Sequence, residues 1–296
     1  MPEPVLERAL AQALGQALGV ERLELGAWRT LGGGCISPAA VVATSAGPFF
    51  VKWNATGPAD LFTCEAAGLR ALERAGSGLK VPRVWVARET GPECPGFIVL
   101  EQLETRPASA DDEEQLGRGL AELHRQTAPA FGFDSLSYCG TTRQANDWCP
   151  AWTEFYAERR LRPLLEALER ARQLGPAERC VYERLIARLP ELLPQASLPA
   201  LVHGDLWSGN VLFSTSGPAL VDPACAYAER EFEFGIATLF GGLGPRALAA
   251  YHESFPLPAG WRERNPLYQL YHLLNHALLF GGGYGAQALA IARRYV

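Results

Sequence analysis

Along the first hundred residues the apolar positions fall in short runs rich in Val, Phe and Trp, which is the pattern of strands, with two helical stretches among them. The pattern predicts a helix near 4–18, strands over ERLELGAWRT, PAAVVATS and PFFVKWN, and a helix from about Pro58 to Ala75. Two more apolar strands follow, VPRVWVAR and GFIVLEQL, and the polar ETRPASADD segment after them marks a lobe boundary, drawn between 103 and 104. Beyond it DDEEQLGRGLAELHRQT, AWTEFYAERRLRPLLEALERA and PAERCVYERLIARL carry helical periodicity, and further helices run from about Glu231 onward. One short β insertion, LVHGDLWSGNVLFSTSGPALVDPA, interrupts the helical part, its runs VLFS and ALVD flanking a Thr-Ser-Gly-Pro turn. The expected class is α+β in two lobes: a mainly β N-terminal lobe (1–103) with one key helix, and a mainly helical C-terminal lobe (104–296) carrying a hairpin.

Length and composition agree with a folded, soluble chain of about two domains: 296 residues, 48% apolar and 20% charged. A net charge of -5 argues against sequence-independent nucleic-acid binding, which needs a basic face to displace counterions, and favours a small-molecule partner. Of the 27 basic residues only Lys52 and Lys80 are lysines, so each calls for a reason. The seven cysteines form no C-x-x-C pair, which indicates neither a zinc site nor a disulfide framework and suggests a reducing, cytoplasmic setting. No signal-peptide pattern opens the chain. The uncharged run from Asn265 to Ala292 is long enough to cross a bilayer, but His272, Asn275, His276 and the Gly281-Gly282-Gly283 break make it buried helices instead.

The insertion carries the chemistry. If VLFS and ALVD pair antiparallel, Asn210 before the first and Asp222 at the end of the second come side by side, and their oxygens face one point. A hard cation such as Mg2+ takes such oxygen ligands, making Asn210 and Asp222 its expected ligands. Asp205 lies on the loop upstream, where a carboxylate can accept a proton from a substrate hydroxyl, and His203 would orient that loop. Any one of these residues alone could simply cap a turn; H-G-D-x-x-x-x-N followed by an Asp that ends a strand is far more specific. In FFVKWN, Lys52 shares a strand face with Phe50, and in the following helix Glu65 sits on the apolar stripe of Leu61, Leu69 and Leu72. An unpaired carboxylate there is costly, so a Lys52–Glu65 ion pair is expected, of the kind that holds a lysine against nucleotide phosphates. Upstream of the lysine strand, Gly32, Gly33, Gly34, Cys35, Ile36 and Ser37 form a glycine turn, either a plain hairpin turn or a loop covering phosphates. Cys35 is there either an ordinary small residue or an exposed thiol open to oxidation and disulfide-linked dimerisation.

Together GGGCIS, FVKWN, FIVLEQL, FGFDSLSYCG, NDWCPAWTEFYAERRL, HGDLWSGN, VDPA, EFEFGIATLFGG and YQLYHLLNH resemble the fructosamine kinase (ketosamine-3-kinase) family over nearly the whole chain. The resemblance implies a protein-kinase-like, aminoglycoside-phosphotransferase-type fold that uses ATP and Mg2+ to phosphorylate the 3-hydroxyl of ketosamines, a repair of glycation. It implies Asp205 as catalytic base, Asn210 and Asp222 as magnesium ligands, Lys52 with Glu65 as the phosphate-positioning pair, and the Glu101 carbonyl and Leu103 amide as partners of the adenine. Trp207 either packs on the sugar ring or supports the loop from the core. His276 and Asn275 either line the acceptor site or belong to the core. Glu231 and Glu233 either meet the substrate amine or form an acidic first helical turn. HGD in place of HRD, DPA in place of DFG and the lack of an APE motif set the chain apart from protein kinases acting on Ser or Thr. Competing readings are a same-fold kinase for an aminoglycoside, choline or another amino alcohol, a non-catalytic ATP-binding or Cys35 redox-sensing protein, and a metal hydrolase using His203 and Asp205. The expected partner is a ketosamine or glycated amine, with neither nucleic acid nor membrane, for a monomer or homodimer.

Overall fold

The computed structural model describes residues 3–32 and 36–296. Strands β1 (Leu25–Leu31), β2 (Ala39–Thr44), β3 (Gly47–Asn54), β4 (Val84–Arg88) and β5 (Gly96–Glu101) form one antiparallel sheet in the order β1-β2-β3-β5-β4. The period of two in β3 assigns its side chains to opposite faces. Phe49 and Val51 pack with Val42, Phe97 and Val99 against Leu6, Leu10 and Leu14 of helix α1 (Pro4–Leu18). Phe50 and Lys52 point to the other face, where α2 (Leu61–Arg74) buries Leu61, Phe62, Leu69 and Leu72 over Ile98 and Leu100. Strand alternation alone thus separates the face packed on α1 from the face that carries Lys52.

After the boundary segment the chain becomes mainly helical. Helix α3 (Ala110–His124) opens with a capping box in which Ser109 and Asp112 satisfy each other's backbone amides, and Arg106 clamps the Asp112 carboxylate at 2.6 and 2.8 Å. The run predicted as one helix over 151–171 is continuous but not uniform. It consists of α4 (Trp152–Tyr156), a π turn at Ala157–Leu161 and α5 (Arg162–Arg170). Pro163 explains the widening, because it has no N–H to donate and its ring crowds the carbonyl a turn back. The π turn carries Arg160, a fully buried guanidinium bonded to Ala145 O and Asn146 Oδ1 and set over the Phe155 ring.

Helices α6 (Pro176–Leu192), α7 (Glu231–Phe240), α8 (Pro245–Ser254), α9 (Trp261–Phe280) and α10 (Tyr284–Ala292) complete this part. Its core centres on Trp152, Tyr156, Phe232 and Tyr268, whose ring centroids lie 5.4–6.4 Å apart, the spacing of stacked and edge-on aromatic pairs. Three two-stranded ribbons are set into it: β6 (Ser137–Cys139) with β7 (Thr142–Gln144), β8 (Ala200–Val202) with β11 (Ala226–Ala228), and β9 (Val211–Ser214) with β10 (Gly217–Leu220). No helix among the described residues is long and apolar enough to cross a membrane.

Candidate active site

The loop that follows β8 is fixed from behind. His203 is fully buried; its Nε2 donates to Val221 O at 2.8 Å and its Nδ1 accepts from the Asp205 amide at 3.2 Å, so one neutral ring holds both ends of the turn. Burial keeps its pKa below the ordinary histidine value. Gly204 has φ +82°, and a Cβ there would lie 2.2 Å from Ala224 O, so a side chain at this position is excluded by both backbone and space. Glu233 of α7 accepts from the amides of His203 and Gly204 at 2.5 and 3.0 Å.

Of the two readings of Glu231 and Glu233, the structure bears out the acidic first turn of a helix, here α7, and not a contact with a substrate amine. Both are buried, Glu231 held by Arg264 Nη2 and Nε at 2.5 and 2.9 Å and Glu233 spent on the loop amides. They serve architecture, and Glu233 is a positioning residue that its place in the sequence did not reveal. Glu229, also buried, accepts from the Glu231 amide at 2.8 Å. Burial first, then the charge of Glu231, pushes its pKa up to about 8. The folded chain therefore holds a proton that the unfolded chain has lost above about pH 4.3, and stability falls as pH rises from there to 8. Glu229→Gln should flatten this slope and raise the melting temperature at pH 8 relative to the parent; parallel melting curves at pH 5 and 8 check it, and an unchanged slope would refute it.

Asp205, Asn210 and Asp222 converge as predicted, but by a different register. β10 ends at Leu220, which pairs with Val211, and Val221 N donates to Asn210 O at 3.1 Å, so Asp222 lies one step beyond the residue opposite Asn210. It is brought back by a left-handed backbone, φ +55°, which is rare for a residue with a side chain and costs ~1–3 kcal/mol where it occurs. Asn210 Nδ2 donates to Asp205 O, Asp205 Oδ2 and Asp222 O at 2.9, 3.1 and 3.4 Å, while its Oδ1 has no hydrogen bond among the described residues and can ligate a cation. With the Asp222 carboxylate this makes an all-oxygen pair, the chemistry that suits Mg2+. On its other side Asp205 Oδ1 receives the Cys139 thiol at 3.6 Å, a neighbour no sequence spacing announced. Burial pushes the Asp205 pKa up to about 7, Cys139 and Asn210 opposing the rise and the Asp222 charge adding to it.

The predicted ion pair is present. Lys52 Nζ stands 2.8 Å from Glu65 Oε1 and 2.8 Å from Asp222 Oδ1, so it links α2, the sheet and the hairpin. Burial disfavours its charge, yet the two carboxylates outweigh that and raise its pKa, keeping the ammonium charged. The second lysine also joins separate elements. Lys80 Nζ is 2.7 Å from both oxygens of Glu101, and its amide donates to Pro218 O at 2.9 Å, tying the end of β5 to the hairpin.

Lys52, Glu65, Glu101, Asp205, Asn210 and Asp222 open on one cleft of about 1000 Å³. Gly32, Ile36 and Ser37 roof it, and Glu101, Gln102 and Leu103 line its edge; Gly33, Gly34 and Cys35 lie outside the described residues. Asn54, which the sequence did not single out, holds the roof in place through bonds from Nδ2 to Ser37 Oγ and Ile36 O at 3.1 and 3.4 Å. At the far end Trp207, Phe240, His276, Phe280 and Tyr284 form an aromatic wall. His276 donates from Nδ1 to His272 O at 2.8 Å and stacks on Phe240 at 4.5 Å, so it lines the cleft with its ring fixed. Asn275 is bound to Cys139 O and Thr142 Oγ1 and shapes the wall from within. Trp207 supports the loop from the core, its ring covering Gly209, where a Cβ would come within 2.4 Å, and it also faces the cleft.

The sequence profile of the fructosamine kinase family matches residues 6–296. Mouse (Mus musculus) ketosamine-3-kinase is 36% identical over 290 residues, spanning 88% of this chain and 92% of that one. The chloroplastic protein-ribulosamine 3-kinase of Arabidopsis thaliana is 38% identical over 275 residues, spanning 90% and 82%. A crystal structure from Thermobifida fusca, named as a candidate fructosamine-3-kinase, superposes with a TM-score of 0.84 at 33% identity over 96% of this chain and 97% of that one. The aminoglycoside phosphotransferase APH(4)-Ia superposes with a TM-score of 0.61 at 14% identity over 96% and 98%, which establishes the protein-kinase-like α+β fold. By profile, by relatives and by fold, the chain belongs to the fructosamine kinase family.

Proposed function

We propose that the protein transfers the γ-phosphate of ATP to the 3-hydroxyl of a ketosamine, a fructosamine- or ribulosamine-type product of sugar and amine, and so takes part in reversing glycation. The observation that carries this reading is the convergence of Asp205, Asn210, Asp222 and the Lys52–Glu65 pair on one cleft. The named activities of the mouse and Arabidopsis relatives support the acceptor class, and the AMP-PNP held by APH(4)-Ia supports the use of ATP.

In this reading residues 1–103 bind the nucleotide and residues 104–296 supply the base and the acceptor site. The adenine lies between the Glu101 carbonyl and the Leu103 amide, and Gly32 to Ser37 cover the phosphates. Asn210 Oδ1 and the Asp222 carboxylate would hold Mg2+, which when bound neutralises charge developing on the phosphates. Lys52, kept in line by Glu65, contacts the phosphates. Asp205 accepts a hydrogen bond from the acceptor hydroxyl, orients it for in-line attack and takes its proton as the new phosphorus–oxygen bond forms and the bond from the γ-phosphorus to the β-phosphate oxygen breaks, releasing ADP. The aromatic wall of Trp207, Phe240 and His276 offers faces to the sugar and to the cationic amine. We place the reaction in the cytoplasm.

Magnesium-dependent ADP release, measured with ribulosamine, fructosamine, aminoglycoside and choline acceptors, tests the proposal. Turnover confined to ketosamines is expected. Turnover with only choline or an aminoglycoside would keep the chemistry and overturn the acceptor, and tight ATP binding without any turnover would overturn both.

A further inference from the structure

Beneath the cleft, Cys139 at the end of β6, Asp205 on the loop and His272 on α9 bring a sulfur, a carboxylate oxygen and an imidazole nitrogen within 4.8 Å of one another. One edge of this triangle, Cys139 Sγ to Asp205 Oδ1, measures 3.6 Å. His272 is the unusual member. It is wholly buried, and neither ring nitrogen has a hydrogen-bond partner among the described residues, whereas buried polar groups are nearly always paired. The ring does not turn freely to find one, since it stacks on Phe232 at 5.4 Å and meets Tyr271 edge-on at 5.0 Å. Burial keeps it neutral, so a nitrogen lone pair stays available inside the protein.

A thiol, an imidazole and a carboxylate are the ligand set of a zinc-class ion, and this set differs in kind from the all-oxygen pair of Asn210 and Asp222. Bond lengths of ~2.3 Å to sulfur and ~2.0–2.2 Å to nitrogen and oxygen place neighbouring ligand atoms of a tetrahedral ion ~3.3–3.7 Å apart. The Cys139–Asp205 edge already has that length, and the other edges, within 4.8 Å, need to shorten by at most about 1.5 Å. Cys139 and Asp205 both line the cleft, which gives an ion its way in and leaves the fourth position to water.

We propose that Cys139, Asp205 and His272 form a binding site for a thiophilic divalent cation of the zinc class, and that filling it inhibits the enzyme by occupying Asp205. Binding converts the Cys139 thiol to a metal-bound thiolate and releases its proton to solvent, with no change of oxidation state. Bound in this way, the carboxylate no longer receives the acceptor hydroxyl. Zn2+ therefore competes with the acceptor, and extra Mg2+ does not relieve it. This inhibitory half rests on Asp205 being the base, while the binding half does not.

The test separates the two. Co2+ is titrated without nucleotide into a Cys35→Ser/Cys180→Ser protein, in which the exposed Cys180 is removed together with the cysteine of the GGGCIS motif. A thiolate-to-cobalt charge-transfer band saturating at one equivalent and displaced by Zn2+ is expected. Adding Cys139→Ser should abolish the band and weaken Zn2+ binding at least ~100-fold, since even outer-shell changes at metal sites cost ~10- to 100-fold. No band, or one that survives Cys139→Ser, overturns the site. Should that variant fail to fold, zinc-edge anomalous diffraction from parent crystals decides: a peak between the three side chains supports the site, and a peak only elsewhere overturns it. With binding established, Zn2+ inhibition not competitive with the acceptor would overturn the inhibitory half alone.

Discussion

Asp205→Asn should lose turnover by about a thousandfold, the middle of the ~10²–10⁴ contributed by a positioned general base, while the affinity for ATP changes little. Asparagine has nearly the same shape: its oxygen can still accept from Asn210, and its NH2 group can donate to the Cys139 sulfur where the carboxylate accepted from it. What it lacks is the ability to accept the acceptor's proton. Because the loop is fixed independently by His203 and Glu233, the substitution should leave the fold intact. Equilibrium ATP binding and single-turnover kinetics on one preparation check both halves. A variant with more than about a tenth of parent turnover would remove Asp205 from the role of base.

Lys52→Met should affect rate and stability together. Lys52 is the shared cation of two carboxylates, and removing it leaves Glu65 buried without a counter-charge. Breaking a buried pair from one side costs ~3–5 kcal/mol, mostly the penalty of the stranded charge. Loss of one positioned cation on the phosphates should also reduce kcat/KM by ~10²-fold or more. The double variant Lys52→Met/Glu65→Leu distinguishes the two effects: with no buried carboxylate left stranded, Asp222 being half-exposed, it should recover most of the stability and none of the activity. Denaturant melts and initial rates of both variants give the answer, and recovery of activity in the double variant would show that Lys52 acts only through folding.

Much of this site was legible in the sequence because its parts are local. H-G-D-x-x-x-x-N and the Asp of VDPA lie on one hairpin, so chain connectivity alone brings Asp205, Asn210 and Asp222 together. The Lys52–Glu65 pair was legible for another reason, since a carboxylate on an apolar helical stripe requires a nearby cation. The error in the hairpin register was small and physical: strand pairing ends at Leu220, and a single left-handed residue, Asp222, makes up the difference. What stayed hidden is what only tertiary packing assembles. Glu233 reaches loop amides 29 and 30 residues away, and Asn54 reaches back to a roof 17 and 18 residues upstream. The cysteine spacing held no trace of a metal-ligand cluster, because Cys139 and His272 meet Asp205 from a strand and a helix on either side of it in the chain. The π turn at Ala157–Leu161 was equally invisible to a 3.6-residue period, although Pro163 was its signal.

The position of the phosphate in the product tests the central claim most directly. After incubation of a ribulosamine with ATP, Mg2+ and the protein, phosphorus–proton correlation NMR of the isolated product should show one phosphoester coupled to the hydrogen on C3, and none with Asp205→Asn. A phosphoester on another oxygen, or inorganic phosphate as the only new phosphorus species, would contradict it.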